Sequence, residues 1–282
     1  MNKKSYGKIN LSLEVLSKRN DGFHDIDTIM QFVDIYDEIA IEVTNSHKLE
    51  IICDLDGFPK DESNLIYKGW DSLRGLYGGN PGIRVTVNKN LPMAAGMGGG
   101  SSNCACVMEA LNEIWKLGLS KEKLEEISSN IGSDVPYFFE NKTLRAKGRG
   151  VDFYDMIDLE GLPILIINSG CEVSTSYVYS NIKISNKPKM DILINSLNRG
   201  LIDKNYFFND MTKVSEKICP EINIIMDQLY EQNAVVSLMS GSGSTVFGIF
   251  SSFEDCNKAY LSLKDKYKYV FNTKTIRRRY EK

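Results

Sequence analysis

Residues 92–102 read Pro-Met-Ala-Ala-Gly-Met-Gly-Gly-Gly-Ser-Ser, with four glycines in the five positions from 96 to 100. Such a run is a poor interior for a helix or strand, because each glycine there costs roughly 0.5–1 kcal/mol relative to alanine. An alternating apolar strand (Ile83, Val85, Val87) precedes it, and a helical stripe (Cys104, Val107, Leu111, Ile114) follows from Ser101. The stretch is therefore a strand-to-helix loop whose bare backbone N–H groups can approach an anion. The helix start aims its dipole and unpaired N–H groups into the same space. Ser101 and Ser102 can cap that helix or offer hydroxyls to a phosphate or a metal ion. The plain alternative, a flexible turn, is disfavoured by the glycine density.

Three common phosphate sites are excluded. No Gly-Lys-Ser or Gly-Lys-Thr occurs, so there is no P-loop. Ser101 stands at the third glycine of a dinucleotide fingerprint, and several strands precede the loop where a single one should. The H-R-D and D-F-G signatures of protein kinases are missing as well.

The chain has 282 residues, 42% hydrophobic and 25% charged, with a net charge of −3, a length that favours two modest domains. That balance advertises no nucleic-acid face, and the Arg277-Arg278-Arg279 run is too short to make one. No apolar signal-peptide core follows Met1, and the run at 162–167 is far short of a membrane span. A cytoplasmic protein without a membrane partner is expected. None of the six cysteines forms C-x-x-C, and His24 and His47 are the only histidines. Zinc spacing is absent, a Ser-His-Asp hydrolase is disfavoured, and the cysteines read as reduced, mostly buried residues.

Along the chain, Ile9, Leu11, Leu13 and Val15 alternate with Lys8, Asn10, Ser12 and Glu14, a half-buried strand with Lys8 and Asn10 on one face. Asn20-Asp21-Gly22 is a turn signal. Further strands are expected at 39–43, 49–55, 82–87, 144–146, 163–167, 235–239, 245–250 and 270–276. Helices are expected at 63–77, with Leu65, Gly69, Leu73 and Leu76 on one side, from 101, from 120 to 132, and at 175–182, 190–198, 208–232 and 253–267. The mixture lacks strict βαβ alternation, so the fold class is α+β in two domains, 1–155 and 156–282.

The pattern P-x-x-x-G-M-G-G-G-S-S resembles the phosphate-binding motif of the GHMP kinases (galactose, homoserine, mevalonate and phosphomevalonate kinases). Lys8-Ile9-Asn10-Leu11, Asp21-Gly22-Phe23-His24, Asn64-Leu65-Ile66, Gly132-Ser133-Asp134-Val135-Pro136 and Ser240-Gly241-Ser242-Gly243 fall in that family's order over most of the chain. They are similar to the branch that phosphorylates a cytidine-diphosphate-linked polyol. The resemblance implies a nucleotide-binding N-terminal domain, a smaller ferredoxin-like C-terminal domain and an active site in the cleft between them. It implies ATP with Mg²⁺, the phosphates lying on Pro92, Gly96, Met97, Gly98, Gly99, Gly100, Ser101 and Ser102, with adenine near Asn64 and Lys89. Lys8 and Asp134 become the catalytic pair. Asp134 orients the acceptor hydroxyl and takes its proton, and Lys8 holds Asp134 and neutralises phosphoryl charge. Substrate is assigned to Asn10, Phe23, His24, Thr175, Tyr179, Gly241 and Gly243, with cytosine between the Phe23 and Tyr179 rings; Tyr177 is the weaker alternative to Tyr179. No protein metal ligand is assigned.

Outside that pattern, Asp134 would read as a turn aspartate and Lys8 as a solvated strand residue. Four positions depart from it: Gly7 replaces a usual alanine, Phe23 a tyrosine and Ser244 a common proline. Val151 also follows Gly148-Arg149-Gly150 where a glutamate is usual. Two rival readings remain, a homoserine- or mevalonate-type kinase and a nucleotide-binding module without turnover.

Overall fold

The computed structural model describes residues 1–79, 82–184 and 189–278; Arg279 of the basic run lies outside them. Two long strands, β1 (Asn2–Lys18) and β2 (His24–Thr44), form an antiparallel hairpin around the expected turn, where Gly22 takes φ +86°. The first strand is not half-buried. Lys8, Asn10, Ser12 and Glu14 are only 3%, 2%, 0% and 1% exposed, because the hairpin is packed on both sides. Ile9 and Leu11 join one apolar cluster with the second half of the chain, and Leu13 and Val15 join another. Polar groups buried this way need partners. The Ser12 hydroxyl donates to the Phe208 carbonyl (2.6 Å), and Glu14 accepts from the Lys189 N–H (3.0 Å). Burial nonetheless pushes the Glu14 carboxyl above its usual range.

β2 is far longer than the expected 39–43 in part for the same reason: Ile26–Val33 are buried on both faces and carry no alternation to read. Its polar residues are satisfied by distant segments. Asp27 takes a two-pronged contact from Arg145 (2.8 and 2.6 Å), and the Gln31 amide donates to the Phe32 and Ile276 carbonyls (both 2.9 Å).

The first sheet runs β3 (Leu49–Ile52), β4 (Gly82–Asn88), β2, β5 (Leu144–Gly148), β6 (Asp152–Asp155), with β1 on the other side of β2. The short β6, Asp-Phe-Tyr-Asp, is mostly exposed and gave no apolar signal. Helices α1 (Leu65–Tyr77), α2 (Gly99–Ile114) and α3 (Lys121–Ser128) join this sheet in one core. The buried stripe of α1 is Ile66, Gly69, Trp70 and Leu73; Gly69 and Leu73 lie on it as expected, Leu65 is half-buried at its edge, and Leu76 is exposed. Gly69 lets α2 come close, since a Cβ there would meet Cys104 Sγ and Met108 Cγ at 2.9 Å.

The second sheet has the order β10-β7-β9-β8, all antiparallel, from β7 (Pro163–Asn168), β8 (Val236–Met239), β9 (Val246–Ile249) and β10 (Tyr269–Lys274). Between β7 and β8 come α4 (Thr175–Asn181), α5 (Met190–Asn198), α6 (Thr212–Ile218) and α7 (Glu221–Glu231); α8 (Phe253–Leu263) joins β9 to β10. With α7 and α8 as its crossovers this is the split βαββαβ of the ferredoxin-like fold, as the resemblance implied. The single helix expected over 208–232 is broken at Pro220, which cannot continue α6.

Candidate active site

Gly98 adopts φ +68° and caps α2, so the helix starts at Gly99, two residues before Ser101. The N–H groups of Gly99, Gly100 and Ser101 belong to the first turn and have no intrahelical acceptor. That of Ser102 already donates to the Gly98 carbonyl (2.8 Å). The two loop serines part company. Ser101 borders the main cavity, whereas the Ser102 hydroxyl is buried, donating to the Tyr6 carbonyl (2.6 Å) and accepting from Ser5 (2.7 Å). Ser102 thus ties α2 to β1. Met97 is also an anchor: its side chain is 1% exposed, and its carbonyl accepts the Lys8 N–H (3.0 Å).

Lys8 Nζ lies 3.2 Å from an Asp134 carboxylate oxygen and donates to Asn10 Oδ1 (2.7 Å). The Asn10 amide passes a hydrogen bond to Thr28 (2.8 Å), and the Thr28 hydroxyl donates to the Ser12 carbonyl (2.7 Å). Lys8 is therefore held from below by a run of satisfied polar groups, while Asp134, about a third exposed, faces the cavity. Behind Asp134, residues 136–139 form a 3₁₀ turn whose Tyr137, Phe138 and Phe139 are buried in the first core.

The 240–244 loop closes onto this group. The Asn10 N–H donates to Ser240 Oγ (3.0 Å), and that hydroxyl donates to the Gly96 carbonyl (2.9 Å). Contact is so tight that a Cβ on Gly96 (φ +77°) would lie 2.2 Å from the Ser240 carbonyl oxygen. Gly241 borders the cavity, with its Cβ position 3.3 Å from Asn10 Oδ1, and Gly243 sits behind it against Met239. Thr175 and Ser242 share a hydroxyl–hydroxyl bond (2.7 Å) across the cavity wall.

One cavity of about 660 Å³ is bordered by Lys8, Asn10, Pro92, Gly96, Gly98–Ser101, Asp134, Thr175, Tyr179 and Gly241, drawing on both halves of the chain. Lys89 borders it too and is ion-paired with the fully buried Asp37. Asn64 does not: it caps α1 and donates to the Pro59 carbonyl (2.6 Å), which holds a wall segment of the cavity from behind. Tyr179 stacks on His24 (centroids 4.8 Å apart, 21° between planes). Burial and the nearby Asp134 charge raise the Tyr179 phenol above its usual range, and burial lowers the His24 imidazole, which favours a neutral ring. Tyr177 is exposed and faces away from this cavity. Phe23 is 46% exposed and outside the lining, its ring covered by the Arg149 guanidinium at 3.8 Å.

Two residues without a legible signal organise the site. Asp37 accepts from the Asn90 and Leu91 N–H groups and the Asn103 amide, each at 2.9 Å, which fixes the entry to the glycine loop. Thr28 supports Asn10. Both are polar residues inside an unrecognised stretch of β2.

Family models for the GHMP kinases N terminal domain and the GHMP kinases C terminal match residues 64–141 and 192–268. The 4-diphosphocytidyl-2-C-methyl-D-erythritol kinase of Finegoldia magna is 42% identical over 96% of this chain and 98% of its own length. The chain belongs to the 4-diphosphocytidyl-2-C-methyl-D-erythritol kinase family. As a GHMP kinase it is an ATP-dependent phosphotransferase. A solved 4-(cytidine 5'-diphospho)-2C-methyl-D-erythritol kinase superposes with a TM-score of 0.83 at 24% identity, covering 98% of this chain and 99% of that one. The mevalonate kinase of L. major, solved with R-mevalonate, gives 0.76 at 15% identity over 98% and 96%. The fold is thus shared by kinases of unlike substrates, and the substrate has to be argued from the site. Gly7, which departs from the family's usual alanine, fits the packing of this chain, where an added Cβ would sit 2.7 Å from Leu91 Cδ2. Among the described residues no helix is long and apolar enough to cross a membrane.

Proposed function

We propose that the chain transfers the γ-phosphoryl of ATP to the 2-hydroxyl of 4-diphosphocytidyl-2-C-methyl-D-erythritol, an isoprenoid precursor of the non-mevalonate route. The observation that carries this reading is the Lys8–Asp134 pair, 3.2 Å apart, on the wall of the cavity that the opening turn of α2 also borders. Phosphates rest on the N–H groups of Gly99, Gly100 and Ser101, where the helix dipole favours negative charge. Asp134 accepts a hydrogen bond from the acceptor hydroxyl, aims its oxygen at the γ-phosphorus and takes the proton as the O–P bond forms. The bond to the β-phosphate bridging oxygen breaks, and ADP leaves. Lys8, anchored by Asn10, stays beside Asp134 and neutralises charge gathering on the phosphoryl oxygens. Residues 1–155 carry the nucleotide, and 156–282 supply the facing substrate wall.

The donors bordering the cavity fit Mg²⁺ carried largely by phosphate oxygens and water. Ser101 is the hydroxyl on the cavity wall that would hold it, and the ion would supply charge neutralisation to the phosphates. Cytosine is read beside His24 and Tyr179. These two already stack on one another, so a base enters by parting them or by stacking on an outer face of the pair.

The base preference is testable by competition. CMP should inhibit competitively against the cytidine substrate. UMP should do so poorly, because its 4-oxo group presents an acceptor where the 4-amino group donates, leaving protein acceptors unpaired. Equal inhibition by the two would remove cytosine recognition and shift the reading to a homoserine- or mevalonate-type kinase.

A further inference from the structure

Away from the Lys8–Asp134 pair, the corner between α6 and α7 brings three metal-type donors together. Cys171 Sγ, Cys219 Sγ and a Glu221 carboxylate oxygen all lie within 4.8 Å of one another. Cys219 is buried, Cys171 half-buried and Glu221 exposed, so the group opens to solvent on its carboxylate side. The thiol of Cys219 donates to the Glu221 carboxylate at 3.5 Å, close to the sulfur-to-oxygen separation across a tetrahedral zinc with bonds of about 2.3 and 2.0–2.2 Å. Both cysteines are free thiols.

The two sulfur donors are pinned on two segments. Cys219 ends α6 through its N–H to the Ser215 carbonyl (2.9 Å), and its own carbonyl accepts the Ile222 N–H (3.2 Å) as α7 begins. Cys171 follows β7, its N–H donating to Ser169 Oγ (3.3 Å) and its carbonyl accepting from the Ser244 hydroxyl. Ser244 in turn receives a bond from the Asn168 amide (3.2 Å). The frame that aims the donors therefore exists before any ion arrives, which is what a site of modest donor number needs.

We propose that Cys171, Cys219 and Glu221 form a binding site for one thiophilic divalent cation of the zinc class, with water in the fourth position. Two thiolates select such an ion and reject the Mg²⁺ that accompanies ATP. Binding displaces both thiol protons to solvent, and the two thiolates and the Glu221 oxygen replace waters of the aquo ion, one water staying in the fourth position. Burial and the neighbouring Cys171 and Glu221 push the free Cys219 thiol up to about 12, so the ion replaces a proton rather than meeting a preformed thiolate. The ion would clamp the α6–α7 corner to residues 171–175, whose Val173, Ser174 and Thr175 border the phosphoryl-transfer cavity.

The test uses Co²⁺ as a spectroscopic stand-in, titrated into the full-length, fully reduced protein with Mg²⁺ in excess and no nucleotide. One equivalent should give the near-ultraviolet thiolate-to-cobalt charge-transfer band and tetrahedral visible bands, and one equivalent of Zn²⁺ should abolish both. Cys171→Ser and Cys219→Ser should each lose the charge-transfer band, while Cys53→Ser should keep it. Should burial of Cys219 make its variant unfold, the exposed Glu221→Gln keeps the fold and should shift the visible bands and weaken cobalt binding. Absence of the band in wild-type protein, its survival at full intensity in Cys171→Ser, or unchanged visible bands and cobalt affinity in Glu221→Gln overturns the site. So does a Cys171–Cys219 disulfide that forms under the same reducing conditions.

Discussion

Replacing Asp134 with asparagine is expected to lower kcat by roughly 10²–10⁴-fold, the usual contribution of a positioned acid–base group. The amide keeps the shape and still accepts a hydrogen bond, yet it cannot take the hydroxyl proton. ATP affinity should hardly change, because the phosphates are held by the opening turn of α2. Lys8→Ala should do comparable damage for a different reason. It leaves Asn10 Oδ1 without its donor and Asp134 without its partner. Since the two side chains work as one unit, the double variant should cost less than the product of the single losses. Steady-state kinetics and nucleotide titration on the three variants check this; near-normal turnover by Asp134→Asn removes that residue from the chemistry.

The second large effect separates the glycines of the loop by what each one meets. At Gly100 an added side chain would contact nothing within 4 Å, and the helical backbone accepts any residue. If that open space belongs to the phosphates, Gly100→Val should keep the unfolding midpoint of the wild type while losing nucleotide. Displacing one charge-assisted N–H bond, worth about 1.5–3 kcal/mol, weakens ATP binding roughly 10- to 150-fold. Gly96→Ala should behave in the opposite way, lowering the unfolding midpoint because its methyl is driven into the Ser240 carbonyl. Gly99 belongs with neither: its Cβ would meet the ion-paired Nζ of Lys89 at 3.1 Å and the Leu91 side chain at 3.5 and 3.6 Å. Thermal unfolding with and without ATP distinguishes the three. Unchanged ATP affinity in Gly100→Val would move the phosphates elsewhere.

What could be read in the sequence had a local cause. The glycine loop, the Gly-Ser-Asp-x-Pro turn and the apolar β7 each announce themselves within a few residues, whereas the ferredoxin-like half was implied by the resemblance to the GHMP kinases and not by spacing. What escaped was settled by packing over long distances. β2 hides its length because Asp27, Gln31 and Asp37 are buried and paired with Arg145, Ile276 and Lys89 from far along the chain. Ser102 looked equivalent to Ser101, yet the register of α2 against β1 turns it inward to Tyr6. The helix start was misjudged by two residues because Gly98 can cap in a left-handed conformation that a serine cap would not suggest. The break at Pro220 was visible in the sequence, but the continuing apolar period masked it. The resemblance puts Phe23 in a stack on the base; in the structure its ring lies under Arg149, outside the cavity lining, and His24 stacks on Tyr179.

Phosphoryl transfer itself bears most directly on the role of the Lys8–Asp134 cavity. Purified protein should be given ATP and Mg²⁺ with 4-diphosphocytidyl-2-C-methyl-D-erythritol, mevalonate or homoserine as acceptor, and the products followed by phosphorus NMR. A new monophosphate resonance coupled to the 2-position of the erythritol, formed with the cytidine acceptor and at most weakly with the other two, is the outcome expected from this site. Faster transfer to mevalonate or homoserine, or ATP turnover with no phosphorylated cytidine product, would contradict it.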